Sequence, residues 1–155
     1  MKKVYLYIAL ATLVAGVLDI VLACLNSWLA AGTSPYTVLR YIAAGIFGTK
    51  SFTGGWQYEA IGLLLHFVIT FGFVVFYFVA ARRMNWAITR WLSAGIIYGI
   101  FVYLFMKFVV IPLSNIPPAP VKIDSLLRLI VIQVIATGIP ISYIYRRYRA
   151  RMKNV

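Results

Sequence analysis

Four long apolar stretches alternate with short polar segments along this chain. They run from residue 4 to about 31 and over residues 60–81, 92–112 and 125–145. A helix needs about 20 residues to cross the hydrocarbon core of a bilayer, and each stretch is long enough. The segments between them contain turn-forming residues, which are Gly32, Pro35, Gly54, Gly55, Pro117, Pro118 and Pro120. The pattern predicts an all-α membrane protein, one domain over residues 1–155 that forms a four-transmembrane-helix bundle.

The segment from about 35 to 47 has the pattern of a short amphipathic helix in the first outer loop. Pro35 suits a first-turn position, and apolar residues recur after it at helical spacing. The segment is too short to cross a membrane. Two alternatives follow: the helix rests on the lipid surface, or it covers a cavity at the mouth of the bundle.

Composition and charge narrow the class of protein. Hydrophobic residues make up 63% of the chain, well above the roughly 45–50% of soluble domains. The 15 Lys and Arg against 3 Asp and Glu give a net charge of +12, which in a soluble protein would suggest nucleic acid. Here the basic residues lie almost entirely between the apolar stretches, where they act as topology signals and contact anionic lipid. We therefore expect the lipid bilayer as a partner and no nucleic acid.

The basic residues are distributed unequally between the two sides. One side holds Arg40, Lys50 and Lys122, whereas the other holds Lys2, Lys3, Arg82, Arg83, Arg90, Arg146, Arg147, Arg149, Arg151 and Lys153. Because basic loops stay in the cytoplasm, this asymmetry predicts a multi-pass protein of the bacterial inner membrane with both termini cytoplasmic. We expect the basic tail to continue the last helix and to contact anionic head groups through Arg146, Arg147, Arg149 and Arg151.

Ionisable residues inside the apolar stretches are the candidates for function, because burying a charge in a membrane is costly. Asp19, His66 and Lys107 come from three different stretches and fall at a similar depth on the outer side. We expect an ion pair between Asp19 and Lys107 close to His66, with Glu59 on the same helix face as His66. This cluster is either a structural clamp or an outward-facing pocket for a proton, an ion or a small ligand.

The remaining polar and small residues of the stretches also follow helical faces. We expect such faces to form the seams of the bundle, with Pro140 distorting the last helix. These residues are Thr12, Gly16, Ala23 and Asn26 in the first stretch, Gly62 and Thr70 in the second, Gly95, Gly99 and Tyr103 in the third, and Gln133 and Thr137 in the last.

No motif for catalysis, phosphate binding or metal binding is present in the sequence. His66 is the single histidine and Cys24 the single cysteine, so neither a shared metal site nor an internal disulfide is expected. The sequence predicts no enzyme, no cofactor and no metal. Lys2-Lys3 followed by apolar residues could begin a signal peptide, but the length of the stretch and Asp19 within it favour a retained helix.

From Arg40 onwards, the order of features resembles the YagU-like four-helix bacterial inner-membrane proteins, although the first outer loop is shorter here. The resemblance implies an inner-membrane location and a link to acid stress. The matching features are Leu39-Arg40-Tyr41, Leu65-His66-Phe67, Ile111-Pro112-Leu113, Ile116-Pro117-Pro118, Asp124 at the start of the last helix, and the basic tail.

Three classes of function remain, and a membrane enzyme is the last of them because no catalytic motif supports it. The first is transport or sensing of a small solute or of protons through the outward-side polar cluster. The alternative is a non-catalytic accessory or scaffold subunit, associated with other membrane subunits or with further copies of itself. A cavity lined by the ionisable residues would favour the first, and large apolar seams facing lipid would favour the second.

Overall fold

The computed structural model describes residues 2–116 and 123–153, which form helices and connecting turns without strands. In chain order the helices are α1 (Lys2–Ala31), α2 (Pro35–Phe47), α3 (Lys50–Thr53), α4 (Gln57–Ala80), α5 (Trp86–Thr89), α6 (Trp91–Phe105), α7 (Ile123–Gln133) and α8 (Ile139–Lys153). α7 and α8 belong to one continuous helix, written α7–α8 below. Among the described residues, four helices are long and apolar enough to cross a membrane: α1, α4, α6 together with the turn that continues it to Val110, and α7–α8. The predicted fold class is confirmed to that extent.

The long helices extend beyond the apolar stretches that predicted them. α4 begins at Gln57 rather than Ala60, and α8 runs to Lys153 rather than ending near residue 145. The apolar pattern marks only residues that avoid water, whereas backbone hydrogen bonding continues through polar residues at the helix ends. The predicted helical continuation into the basic tail is confirmed.

α2 has the bounds that the sequence predicted, and its ends have local causes. Ser34 caps the helix by accepting a hydrogen bond at Oγ from the Thr37 N–H (3.3 Å), and Pro35 follows in the first turn. Gly48 ends the helix with a φ of 62°, a conformation that glycine adopts without steric cost.

Glycines allow α6 and α7–α8 to touch through their backbones. A Cβ atom added to Gly95 would lie 3.0 Å from the carbonyl oxygen of Gly138, and one added to Gly99 would overlap the backbone of Val134. Small residues at a crossing point permit such close approach in membrane proteins. The predicted seam along Gly95 and Gly99 therefore fixes which helix lies beside α6.

Two long helices contain a wide turn with hydrogen bonds from residue i to i+5. The first covers Met106–Val110, where the N–H of Ile111 donates to the carbonyl of Met106 (2.9 Å). The second covers Val134–Gly138 and lies directly before Pro140. A proline lacks the N–H that would bond four residues back, which frees a carbonyl in the preceding turn. The distortion predicted near Pro140 is present on its N-terminal side.

The tightly packed core occupies one half of the bundle. It consists of aromatic rings from α4, α6 and α8 (Tyr77, Phe78, Tyr98, Tyr145) packed against small residues of α1. Hydrogen bonds join these helices: the Tyr77 hydroxyl donates to Ser142 Oγ (2.9 Å), and the Tyr98 hydroxyl donates to the carbonyl of Phe73 (2.6 Å). The half of the bundle beneath α2 lacks this aromatic filling and contains a cavity.

Candidate functional site

A cavity of about 240 Å³ lies between the four long helices and α2. All four long helices contribute a polar residue to its wall: Asp19 from α1, His66 and Thr70 from α4, Tyr103 from α6, and Gln133 and Thr137 from α7–α8. The rest of the wall is apolar or small. The volume is below the roughly 300–1,000 Å³ of pockets for drug-sized molecules, so the space suits a small ligand or a few water molecules.

The imidazole of His66 is held in a defined tautomer. Its Nε2 lies 2.9 Å from the carbonyl oxygen of Gly16, and a carbonyl can only accept, so Nε2 carries a proton and donates it. The Nδ1 atom is then the nitrogen at which the ring can gain or lose a proton. Gly16 also makes room for the neighbouring aromatic ring, because a Cβ there would meet Phe67 at 2.5 Å. Position 16 therefore contacts α4 in two ways, through its carbonyl to His66 and through the space that the missing side chain leaves for Phe67.

Asp19 faces the same cavity without a hydrogen-bond donor. It is partly buried and interacts electrostatically with His66. Within residues 2–116 and 123–153 no side chain or backbone N–H donates to its carboxyl group, although polar residues of the other long helices line the same cavity. A carboxylate removed from water without a donor is unfavourable. A proton, a cation or ordered water is what this group requires.

The opposite wall is built around the wide turn of α7–α8. Gln133 donates a hydrogen bond from Nε2 to Oγ1 of Thr137 (2.8 Å), and both residues line the cavity. Arg128 precedes Gln133 by five residues, which is roughly 140° around a regular helix, and it is exposed outside the cavity. The cavity wall therefore carries an amide, a hydroxyl and a carboxyl group without an arginine.

The predicted ion pair between Asp19 and Lys107 is wrong. The ammonium of Lys107 lies over the rings of Tyr103 and Phe108, 5.7 Å from each centroid, and Lys107 does not line the cavity. Lys107 belongs to the wide turn Met106–Val110, whose extra residue shifts the helical register on which the prediction relied. Its long side chain can also reach away from the apolar interior towards polar surroundings.

Glu59 has a different role from the predicted one. Its Oε1 accepts two hydrogen bonds from Arg40 of α2, from Nε at 3.0 Å and from Nη2 at 2.7 Å, and it does not line the cavity. Arg40 also donates from Nη1 to the carbonyl of Phe52 (3.3 Å). This is the single ion pair within the described part of the chain. Glu59 therefore fastens α2 to α4.

α2 forms part of the cavity wall. Ile42 lines the cavity, and Ala43 and Ala44 are fully buried against the bundle. The far end of α2 is held by Asn115, which donates from its backbone N–H to the carbonyl of Gly45 (3.0 Å) and from Nδ2 to that of Ile46 (2.8 Å). The contact of Ile42 with the cavity favours, of the two arrangements considered from the sequence, a helix that covers a cavity.

A sequence signal for the role of Arg40 lies in the scarcity of acidic residues. The chain has only 3 acidic residues, and Arg40 and Glu59 are a basic and an acidic residue at the two sides of the first outer loop. Gly62 lies one turn after Glu59, and a Cβ there would overlap the carbonyl of Leu39. A charge pair beside a small residue is a pattern of close helix contact.

The predictions for Lys122, for the prolines at 117, 118 and 120, and for the Asp124 side chain lie outside the described residues.

The four arginines predicted to contact lipid lie at the opposite end of the bundle, on different faces of α8. Arg146 stacks over Trp91 and Arg147 over Tyr143, each at 5.6 Å from the ring centroid. Arg147 and Arg151 line a hollow against α1, and Arg149 is partly buried. The tail is therefore divided into distinct surfaces rather than forming one uniform charged segment.

No family of proteins, curated protein or solved structure matches this chain. Within the described residues, no group of three His, Cys, Asp or Glu side chains could hold a metal ion. The physical chemistry of the cavity is consequently the basis for assigning a function.

Proposed function

We propose that this protein binds a proton or a small cation in its central cavity, as part of transport or sensing across a bacterial inner membrane. The observation that carries the proposal is the pairing of Asp19 and His66 in one cavity. The carboxyl oxygens of Asp19 line the cavity and accept no hydrogen bond from the described residues. The hydrogen bond to Gly16 occupies Nε2 of His66 and leaves Nδ1 for proton exchange. Lys107 and Arg128 do not line this cavity, so neither competes with a cation there.

The architecture around the cavity supports an outward-side site. α2 covers one end, held by the ion pair between Arg40 and Glu59, and the aromatic core fills the other half of the bundle. A site with a detachable cover at one end and a packed core at the other suits controlled access from one side. Under this proposal the Arg40–Glu59 pair keeps α2 closed.

The single histidine gives a direct test of binding. With protein purified through a tag that contains no histidine, the imidazole nitrogen signals in NMR report on His66 alone. Titration with methylammonium, potassium or sodium should shift these signals in the unmodified protein and not in Asp19→Asn. Arg128→Gln is the control, because this exposed side chain faces away from the cavity. The proposal would be refuted if none of the three cations shifted the signals and if the imidazole titration curve of His66 were the same in the unmodified protein and in Asp19→Asn.

A flux measurement then separates transport from sensing. Proteoliposomes containing a pH-sensitive dye should show proton movement after an imposed pH difference if the protein transports protons, and the movement should be lost in Asp19→Asn. Binding without flux would assign the cavity to sensing. The YagU-like resemblance adds the expectation that cells lacking the protein grow less well in acid.

We further propose that both termini lie in the cytoplasm, which places α2 on the periplasmic side. The support is the ten-to-three distribution of basic residues between the two sides. The exposed tryptophans Trp28 and Trp56 at one end and Trp86 at the other fit the two interfaces of a bilayer. A reporter that is active only in the periplasm should be silent when it is fused after Val155. Activity of that reporter would reverse the orientation.

An accessory role is the second candidate, and one surface favours it. A groove of about 300 Å³ between α4 and α6 is almost wholly apolar and is lined by four phenylalanines around Gly72. A Cβ at Gly72 would meet nothing within 4 Å, so the groove is open at this glycine, and a small residue on an open face suits close packing of a helix from another subunit. If Gly72→Leu dissociates a stoichiometric partner while the cation response of His66 is unchanged, the accessory role is favoured.

A further inference from the structure

A hollow between α1 and α8 lies at the end of the bundle opposite α2. Its space comprises two adjoining regions of about 490 and 400 Å³ that share Tyr7, Leu10 and Arg151. Leu6 and Ile144 add to its apolar wall, whereas Arg147 and Arg151 supply its positive charge. The hollow thus joins an apolar surface to two cationic groups.

The two arginines form one binding edge. Arg147 and Arg151 are four residues apart on α8, so their side chains lie on the same helix face, and both are exposed. Tyr143 lies beneath the guanidinium of Arg147, at 5.6 Å from its ring centroid. Stacking on a ring leaves the N–H groups at the guanidinium edge available for an anion.

Acidic side chains of the chain do not neutralise these arginines. The 3 acidic residues are Asp19, Glu59 and Asp124. Asp19 faces the cavity and Glu59 is bound to Arg40. Asp124 is near the start of the continuous helix α7–α8, and Arg147 follows it by 23 helical steps, which correspond to roughly 35 Å. The two positive charges of the hollow therefore have no acidic partner within the described residues and are available to an external anion.

The combination of groups indicates the chemical class of that anion. Guanidinium groups bind phosphate through paired, charge-assisted hydrogen bonds. An apolar wall beside them suits an acyl chain, and basic pockets between membrane helices are a known form of lipid head-group site. We propose that the hollow between α1 and α8 binds one anionic phospholipid. Arg147 and Arg151 hold its phosphate, and Leu6, Leu10 and Ile144 contact its acyl chains.

This site differs from diffuse attraction between a basic tail and a charged surface. Diffuse attraction depends on the number of basic residues and not on which ones they are. Binding at a defined site depends on Arg147 and Arg151, which line the hollow. It does not depend on Arg90 or on Arg146, because neither lines the hollow and Arg146 stacks on Trp91. The variants Arg147→Gln/Arg151→Gln and Arg90→Gln/Arg146→Gln remove equal charge from the same end of the protein and form a matched pair.

Native mass spectrometry of the full chain in detergent can count bound lipid. Phosphatidylglycerol should bind the unmodified protein saturably at one molecule per chain, and phosphatidylcholine of the same acyl composition should bind far more weakly. Two basic residues at about 1 kcal/mol each correspond to about thirtyfold in affinity, which is the loss expected in Arg147→Gln/Arg151→Gln. Arg90→Gln/Arg146→Gln should retain the affinity of the unmodified protein. Arg147→Lys/Arg151→Lys should lie between, because lysine keeps the charge without the paired hydrogen bonds.

Several results would overturn the proposal. Equal losses in the two glutamine variants would indicate diffuse attraction, and equal binding of phosphatidylcholine would indicate an acyl groove without head-group recognition. Displacement of the lipid by inorganic phosphate at matching concentration would indicate an anion site that does not use the apolar wall. Thermal unfolding without lipid should coincide for the unmodified protein and the lysine variant, so a loss of binding in that variant cannot be attributed to misfolding.

Discussion

Replacing Gly62 with alanine tests how closely α2 is packed onto the bundle, and Gly72→Ala is its matched control. Both glycines lie within α4, so each substitution brings the same gain in helix propensity of about 0.5–1 kcal/mol. The surroundings differ. The new Cβ at position 62 would overlap the carbonyl of Leu39, 3.3 Å from the Leu39 Cα, whereas the one at position 72 would meet nothing within 4 Å. The difference between the variants isolates the contact with α2.

The expected magnitude follows from these surroundings. Overlap with a backbone group forces a helix shift and typically costs about 1–3 kcal/mol. Gly72→Ala should therefore raise the free energy of unfolding by up to about 1 kcal/mol. The free energy of unfolding of Gly62→Ala should be about 1–3 kcal/mol lower than that of Gly72→Ala. Since each kcal/mol shifts the melting temperature by about 2–4 °C, the two variants should melt several degrees apart.

Thermal unfolding of both variants in one detergent, followed by circular dichroism, measures this separation. Because Ile42 of α2 lines the cavity, Gly62→Ala should also change the His66 imidazole signals, whereas Gly72→Ala should leave them in place. Equal melting temperatures and unchanged His66 signals in both variants would refute the close contact between Leu39 and Gly62. The account of α2 as the cavity cover would then fail with it.

Three further predictions concern two pairs of charged residues and one buried tyrosine. In a double-mutant cycle on unfolding, Arg40→Ala and Glu59→Ala should couple by about 1.5–3 kcal/mol because two hydrogen bonds reach one carboxylate oxygen; purely additive losses would argue against the pair. Asp19→Asn and Lys107→Met should instead be additive within about 0.5 kcal/mol, since these residues form no ion pair, and strong coupling would contradict the structure. The buried Tyr145 hydroxyl has no partner within the described residues, so Tyr145→Phe should leave the melting temperature unchanged or raise it. A clear decrease would mean that the hydroxyl has a partner.

The bounds of the helices were largely predictable from the sequence. A continuous apolar stretch of sufficient length has to form a helix in a membrane, because each backbone N–H and C=O needs a partner inside the segment. α2 was predictable for a different reason: Pro35, the apolar spacing and Gly48 act locally and do not depend on the rest of the protein. The approach of Asp19 to His66 also followed from their depth along straight helices.

Tertiary structure decided the partners of the charged residues. Lys107 belongs to a wide turn that shifts the helical register, so its face could not be obtained from regular periodicity. Glu59 of α4 binds Arg40 of α2 and does not line the cavity, because Gly62 lets α2 approach α4 closely enough for the two side chains to meet. The cavity itself depends on four helices packing around the aromatic core at one end and leaving space at the other. A helical pattern specifies which residues share a face, but which faces meet depends on contacts between residues far apart in the chain.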